Sequence, residues 1–218
     1  DVEGMVRWAR DNAMDFVVVA PDDPLALGMV DALEEAGIPA FGPRANAAII
    51  EASKAFSKEL MKKYRIPTAR YETFTQLDKA LAYIEAQGAP IVVKADGLAA
   101  GKGVVVAETL EDAEEAVRAC FGGAFGEAGA KVVIEECMRG PECSMLSFVT
   151  QGRSFPMAPS QDHKRAYDGD TGPNTGGMGV YSPVPIVTDD EMATMVDIMA
   201  RAAAATGADE EARDYRGT

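Results

Sequence analysis

The segment from Val92 to Val106, VVKADGLAAGKGVVV, has the residue types and spacing to hold a phosphate. Val92 and Val93, and again Val104 to Val106, are β-branched runs that read as strands, and DGLAAGKG between them is turn chemistry. Gly97, Gly101 and Gly103 permit positive φ and close backbone approach, so successive N–H groups can face an anion while Lys94 and Lys102 add charge. A Walker A loop does not match, because Gly97 to Lys102 is one residue short, Gly103 replaces the Ser/Thr and no helix follows. A dinucleotide fingerprint fails too, since no G-x-G-x-x-G follows a strand here. The plain alternative is an ordinary surface hairpin, so neighbouring segments must decide.

Lys94 ends Ile91-Val92-Val93, a strand of buried type on which an unpaired charge is costly, so it needs an anionic partner. Lys54 follows Ser53 in an alanine-rich helical segment and by itself reads as a solvated helical position. Glu135 and Glu136 end the strand VVIEE. Extended backbone at Glu136 and Cys137 could run along an adenine edge, with Glu142 accepting from ribose hydroxyls; the alternative is a strand end with solvated carboxylates. SQDHKRAYDGDTGPNTGGMGVYSP carries His163, the only histidine, beside Lys164 and Arg165, with Asp162, Asp168 and Asp170 around them. Cations next to glycines suit a phosphorylated or carboxylated substrate, although a solvated loop has the same look. His163 as a general base would need a reacting proton within reach. Asp162 and Asp170 could hold a metal or a substrate amine, or be turn residues.

The elements that must position these groups alternate. A helix over 2–12, a strand over 15–20, a helix over 24–37 closed by Gly37 and a strand over 38–42 make a partial Rossmann-like unit, residues 1–43. Pro43 and Arg44 separate it from a helical stretch over 45–64 that Ile66-Pro67 ends. A compact α+β module follows at about 71–133. Its helices start at Thr75 with Asp78 and at Thr109 with Asp112, and its strands fall at 91–94, 103–107 and 131–136. Then come a strand at 142–149, a long polar glycine-rich loop at 160–181 and a helix opened by the capping box from Thr188 to Glu191.

With 218 residues, 47% hydrophobic and 26% charged, the chain has the composition of a soluble globular protein. No apolar run is long enough to span a bilayer and the amino end lacks a signal pattern, which points to the cytoplasm. Cys120, Cys137 and Cys143 lack C-x-x-C spacing and fit a reducing compartment. A net charge of −14 repels nucleic acid and favours small-molecule partners over nucleic acid or membrane. The chain opens directly in a helical pattern at an Asp, so it is expected to be an internal fragment.

Taken together, SKAFSKELMKKYRIPTA, VVKADGLAAGKGVVV, VVIEE and SQDHKRAYDGDTGPNTGGMGVYSP resemble the phosphoribosylamine–glycine ligase (glycinamide ribonucleotide synthetase) family of the ATP-grasp superfamily over nearly the whole chain. The glycine loop and lysines are general to ATP-grasp enzymes, whereas QDHKR followed by GDTGPNTGGMG is specific to this ligase. The resemblance implies an α/β and α+β fold: a partial Rossmann-like domain at 1–43, then an incomplete ATP-grasp domain at 44–218 whose small lid subdomain is the module at about 71–133. It implies ATP-driven ligation of glycine to 5-phosphoribosylamine by a monomer. Lys54 and Lys94 would contact ATP phosphates beneath a lid formed by Gly97, Gly101, Lys102 and Gly103. Glu135, Glu136 and Cys137 would line the adenine pocket and Glu142 would reach the ribose. His163, Lys164, Arg165 and Asp170 would face glycine and phosphoribosylamine. Mg²⁺ (or Mn²⁺) would accompany ATP, but the EFNxRFGDPE-type segment that supplies its ligands in the family does not occur in this chain, nor does the GSGGREHA-like turn. Competing classes are another ATP-grasp carboxylate–amine ligase and a nucleotide-binding module without catalysis.

Overall fold

The computed structural model describes residues 1–98, 103–169 and 171–218. Helix α1 (Val2–Asp11) is opened by Asp1, whose carboxylate accepts from Gly4 N–H at 2.8 Å. Strands β1 (Val17–Val18) and β2 (Ala40–Phe41) pair in parallel, with α2 (Asp22–Ala26) and α3 (Met29–Glu35) between them. This is the expected β-α-β alternation, but the single helix expected over 24–37 is two. Gly28 takes φ +80°, a left-handed conformation that interrupts helical bonding. Gly37 closes α3 as expected: its N–H bonds Glu34 O while Ile38 N–H bonds Leu33 O, the paired bonds of a Schellman end. Ile38 then joins Ala9, Val19, Val30 and Leu33 in the amino-terminal core.

The helix expected over 45–64 also divides. α4 (Ala45–Ala52) and α5 (Lys54–Lys63) meet at Ser53, which is extended at φ −131° and ψ 111°. The Ser53 hydroxyl accepts from Phe56 N–H at 3.1 Å, so a new helix starts where the pattern suggested continuity.

Among the described residues, β3 (Tyr71–Phe74), β4 (Ile91–Ala95), β5 (Val104–Ala107) and β6 (Val132–Glu136) form an antiparallel sheet in the order β3-β6-β4-β5. Helices α6 (Leu77–Gln87) and α7 (Leu110–Phe121) cover one face, where Ile84, Ile91, Val93, Val117, Val132 and Ile134 make the core. Thr109 caps α7 as expected, its hydroxyl accepting from Asp112 N–H at 3.1 Å. α6 instead begins after Gln76 with no side-chain cap, so the start expected at Thr75 and Asp78 is not used. A 3₁₀ turn, Gly126–Ala130, leads into β6.

Beyond β6, the strand expected at 142–149 is regular only from Ser147: β7 (Ser147–Thr150) pairs with β8 (Arg153–Pro156), and Ser144 makes an isolated bridge to Ser160. The described residues of the stretch expected as a loop at 160–181 form an antiparallel ribbon. β9 (Gln161–Asp162) pairs with β12 (Val180–Tyr181) and β10 (Arg165–Tyr167) with β11 (Thr171–Asn174). Its glycines and polar residues hid the strands because no apolar alternation marks them. α8 (Asp189–Ala208) starts at the expected capping box, with Thr188 N–H donating to the Glu191 carboxylate at 2.8 Å. Among the described residues, no helix is long and apolar enough to cross a membrane.

The 3₁₀ turn lies so close to α7 that a Cβ on Gly129 would collide with the Cys120 carbonyl oxygen. Gly129→Ala is expected to lower stability by about 1–3 kcal/mol through overpacking. Urea denaturation checks this, and an unchanged midpoint would show that the turn can move away.

Candidate functional site

Strand alternation decides which groups leave the core. Ile91, Val93 and Ala95 point at α6 and α7, so Lys94 projects from the opposite face of β4. On β6 the same rule buries Val132 and Ile134 in the core and turns Glu135 outward. Lys94 is opposite Val133 and Val92 is opposite Glu135, so Lys94 and Glu135 are diagonal neighbours on one face.

That face is the floor of a cleft of about 760 Å³. One wall is α5, which contributes Lys54, Ser57, Lys58 and Met61 at positions i, i+3, i+4 and i+7. Asp22 and Asp23 from α2, Glu51 from α4 and Met138 complete much of the lining. The volume suits a nucleotide-sized guest.

Glu135 is 5% exposed and is held by two lysines. Lys58 Nζ lies 2.5 Å from its Oε2, and Lys94 pairs with its Oε1. The anionic partner expected for Lys94 is thus within the fold itself. Lys58 Nζ also donates to Thr68 Oγ1 at 2.7 Å and Ala69 O at 3.3 Å.

A second anion ties the floor to the wall. Asp96, next after β4, accepts from Ala55 N–H at 2.6 Å and from the Ser53 hydroxyl at 3.1 Å, and pairs with Lys131 at 3.5 Å. The carboxylate therefore shares the N-cap of α5, where the helix dipole favours negative charge. Lys54 Nζ donates to Gly97 O at 3.0 Å. Burial lowers the Lys54 pKa below the usual lysine value; the attraction of Asp96 opposes this and the repulsion of Lys94 adds to it. Glu51 is raised, again chiefly by burial, with Asp22 adding repulsion.

Of the residues expected at a nucleotide site, Lys54, Lys94 and Glu135 meet in the cleft. Gly97 abuts Ala128 of the 3₁₀ turn, and the Gly103 carbonyl accepts from Ala95 N–H at 2.8 Å. Gly101, Lys102 and Asp170 lie outside the described residues. Glu136 is paired with Arg70, at 2.7 Å from its Nε. Cys137 is half-buried and Glu142 exposed; among the described residues neither they nor Glu136 are on the cleft lining. His163, Lys164 and Arg165 sit on the ribbon, where the His163 ring is 5.7 Å from that of Tyr181, Lys164 is 3.8 Å from Asp162, and Arg165 donates to Gly172 O at 2.7 Å. Sequence reasoning missed Lys58 and Asp96. The repeat of lysine at 54 and 58, one helical turn apart, was a signal for the first.

Comparison with known proteins decides the family. Residues 52–218 match the model of the phosphoribosylglycinamide synthetase ATP-grasp (A) domain and residues 1–51 that of the phosphoribosylglycinamide synthetase N domain. The chain belongs to the phosphoribosylglycinamide synthetase family. It is 57% identical to a phosphoribosylamine–glycine ligase of Vibrio vulnificus over 191 residues, which are 87% of this chain and 44% of that protein. Against the enzyme of that name from Listeria innocua it is 52% identical over 218 residues, all of this chain and 52% of the relative. The chain thus spans about half the length of the curated relatives it matches. The crystal structure of the Thermotoga maritima phosphoribosylamine–glycine ligase superposes with a TM-score of 0.73 at 35% identity, covering 82% of this chain and 45% of that one. A biotin carboxylase from Campylobacter jejuni, in complex with β-γ-ATP, shares the fold at a TM-score of 0.77 and 15% identity, over 94% of this chain and 46% of that one. The α/β and α+β organisation expected from the sequence is thus that of an ATP-grasp family member.

The Arg70 pair makes a pH prediction. Glu136 is held below its usual value, first by the Arg70 backbone N–H and then by its guanidinium. A carboxylate with a depressed folded-state pKa stabilises the fold above its ordinary value and loses that contribution as pH falls through the lower one. Glu136→Gln should therefore flatten the acid limb of a stability profile measured across roughly pH 3 to 6. Parallel profiles for the two proteins would dismiss the pair as a stabilising contact.

Proposed function

We propose that this chain forms the ATP-binding part of a phosphoribosylamine–glycine ligase, in which ATP drives the joining of glycine to 5-phosphoribosylamine through glycyl phosphate, giving glycinamide ribonucleotide, ADP and phosphate in de novo purine synthesis. The observation that carries this is the convergence of Lys54 and Lys94 on one cleft in a chain of this family. Phosphoryl transfer to a carboxylate concentrates negative charge on oxygens, and positioned cations are what lowers its barrier.

In this reading Lys54 and Lys94 hold ATP phosphates, and Gly97 and Gly103, with Gly101 and Lys102, form the cover. Glu136 and Cys137 border adenine, and Glu142 faces the ribose. Both carboxylate oxygens of Glu135 are engaged by lysines, so its part is to shape the floor. His163, Lys164, Arg165 and Asp170 serve glycine and phosphoribosylamine. Mg²⁺ (or Mn²⁺) would come with the nucleotide and neutralise phosphate charge. Among the described residues no three His, Cys, Asp or Glu side chains gather as a metal site, so no step is assigned to the ion.

The proposal divides the chain into 1–43 and 44–218, with a lid subdomain at about 71–133; two separate apolar cores support this. It takes the protein to be a cytoplasmic monomer with small-molecule partners and without nucleic acid or membrane partners, in keeping with the net charge of −14.

Phosphate release from Mg-ATP, with glycine and freshly generated phosphoribosylamine supplied together and each omitted in turn, tests the reading. Release that requires both supports the ligase. Release indifferent to glycine points to another carboxylate–amine ligase, and bound ATP without turnover to a binding module. Lys94→Ala should abolish ATP binding, and unchanged affinity would remove Lys94 from the phosphate site. A second expectation follows from the lowered Lys54 pKa. A lysine binds phosphate in its charged form, and a lowered pKa means that form is lost at a lower pH than for an ordinary lysine, so ATP affinity should weaken on alkalinisation in the unmodified chain and less in Lys54→Arg. Superimposable titrations would contradict it.

A further inference from the structure

Two lysines hold Glu135, and they are not equivalent. Lys58 is 9% exposed, and its ammonium has three hydrogen-bond partners: Thr68 Oγ1, Ala69 O and Glu135 Oε2. An ammonium has three protons, so its donor capacity is full. The Tyr71 ring also lies against it, with its centroid 5.3 Å from Nζ. Lys94 is 29% exposed and, among the described residues, its ion pair is with Glu135 alone. One cation is anchored at the seam of wall and floor and the other is presented to the cleft.

We infer that Lys58 is a positioning residue for the phosphate site: by neutralising Glu135 from the α5 wall, it leaves the net positive charge of the Lys58–Glu135–Lys94 triad at Lys94, where a polyphosphate would meet it. The inference rests on the ATP reading given above. With Lys58 in place the triad carries two positive charges and one negative. Without it, Glu135 would be a buried carboxylate with Lys94 as its one cation in the triad. Attraction between close charges in a low-dielectric site is strong, so Lys94, already paired with Glu135, would have its charge cancelled with no surplus left. Lys58 is too fully engaged to bind a phosphate itself. Its effect is exerted through Glu135 on the charge that Lys94 offers.

The charge count separates this role from plain structural support. Lys58→Met brings the triad to zero, Lys58→Arg keeps it positive, and the double change Lys58→Met with Glu135→Gln returns it to one positive charge with no buried carboxylate left unpaired. The double variant also keeps the inference testable if Lys58→Met does not fold.

The experiment is a calorimetric titration of the 218-residue chain and these variants with Mg-ATP, inorganic tripolyphosphate and adenosine. Lys58→Met should weaken ATP and tripolyphosphate by about tenfold or more while leaving adenosine within about twofold, because the lost term is charge. Lys58→Arg and the double variant should both recover tripolyphosphate affinity. Equal weakening of all three ligands, or a double variant that binds tripolyphosphate no better than Lys58→Met or, where that variant does not fold, clearly more weakly than the unmodified chain, would overturn the inference and leave Lys58 a packing residue. Failure of the unmodified chain to bind ATP or tripolyphosphate would overturn the ATP reading, and this one with it. Binding that Lys58→Met leaves intact would overturn this one alone.

Discussion

The carboxylate of Asp96 is the joint on which the cleft depends. It follows β4 directly and accepts from the Ala55 N–H and the Ser53 hydroxyl at the start of α5. The first turn of a helix has N–H groups with no partner inside the helix, and here a residue from the sheet satisfies one of them. One residue before Asp96 in the strand stands Ala95, and before that Lys94; at the other end of the same contact stand Lys54 and, one turn on, Lys58. The Asp96 backbone is tied as well, its N–H bonding the carbonyls of Ala128 and Lys131 and its carbonyl accepting from Lys54 N–H. Floor and wall are therefore joined by several bonds to one residue, and the Lys58–Glu135 pair joins them again.

That placement explains how charged side chains are tolerated in the floor. A lone carboxylate at the exposure of Glu135 would be costly, and so would a lone ammonium at that of Lys58. Each compensates the other, with Thr68 and Ala69 absorbing the remaining protons of Lys58. The sheet supplies the anion and the helix the cation, so the pair forms only when α5 is docked. Lys94 completes the set from the exposed side. The cleft also carries the acids Asp22, Asp23 and Glu51 from α2 and α4. Cations and carboxylates are thus concentrated in one recess in a protein whose overall charge is strongly negative, which is how a polyanion can be bound without a basic surface.

Much of this was legible in the chain. Thr109 and Thr188 open helices where their spacing to Asp112 and Glu191 indicated, because a cap is a contact between residues three apart. Gly37 ends α3 for the same local reason. The β-branched runs became β4, β5 and β6. Lys54, Lys94 and Glu135 reached one cleft. The places where reading failed are those where something distant or unmarked by hydrophobicity intervened. Helical periodicity runs through Ser53, but a carboxylate 43 positions away gives that serine a better use as a cap. Gly28 breaks a helix through a positive φ that composition alone does not reveal. The ribbon over 160–181 is held by backbone bonds, to which hydrophobic patterning is blind.

By itself the sequence determined the main order of elements, the caps at Gly37, Thr109 and Thr188, and the family, since these depend on neighbours within a few residues or on motifs read in a line. Tertiary structure alone decided which charges face one another. Glu135 and Glu136 are adjacent in sequence, yet the pleat sends one to Lys58 and Lys94 and the other to Arg70. Side chains alternate across a strand, so consecutive carboxylates occupy different environments, and the partners that meet them come from segments whose separation along the chain says nothing of their distance in space.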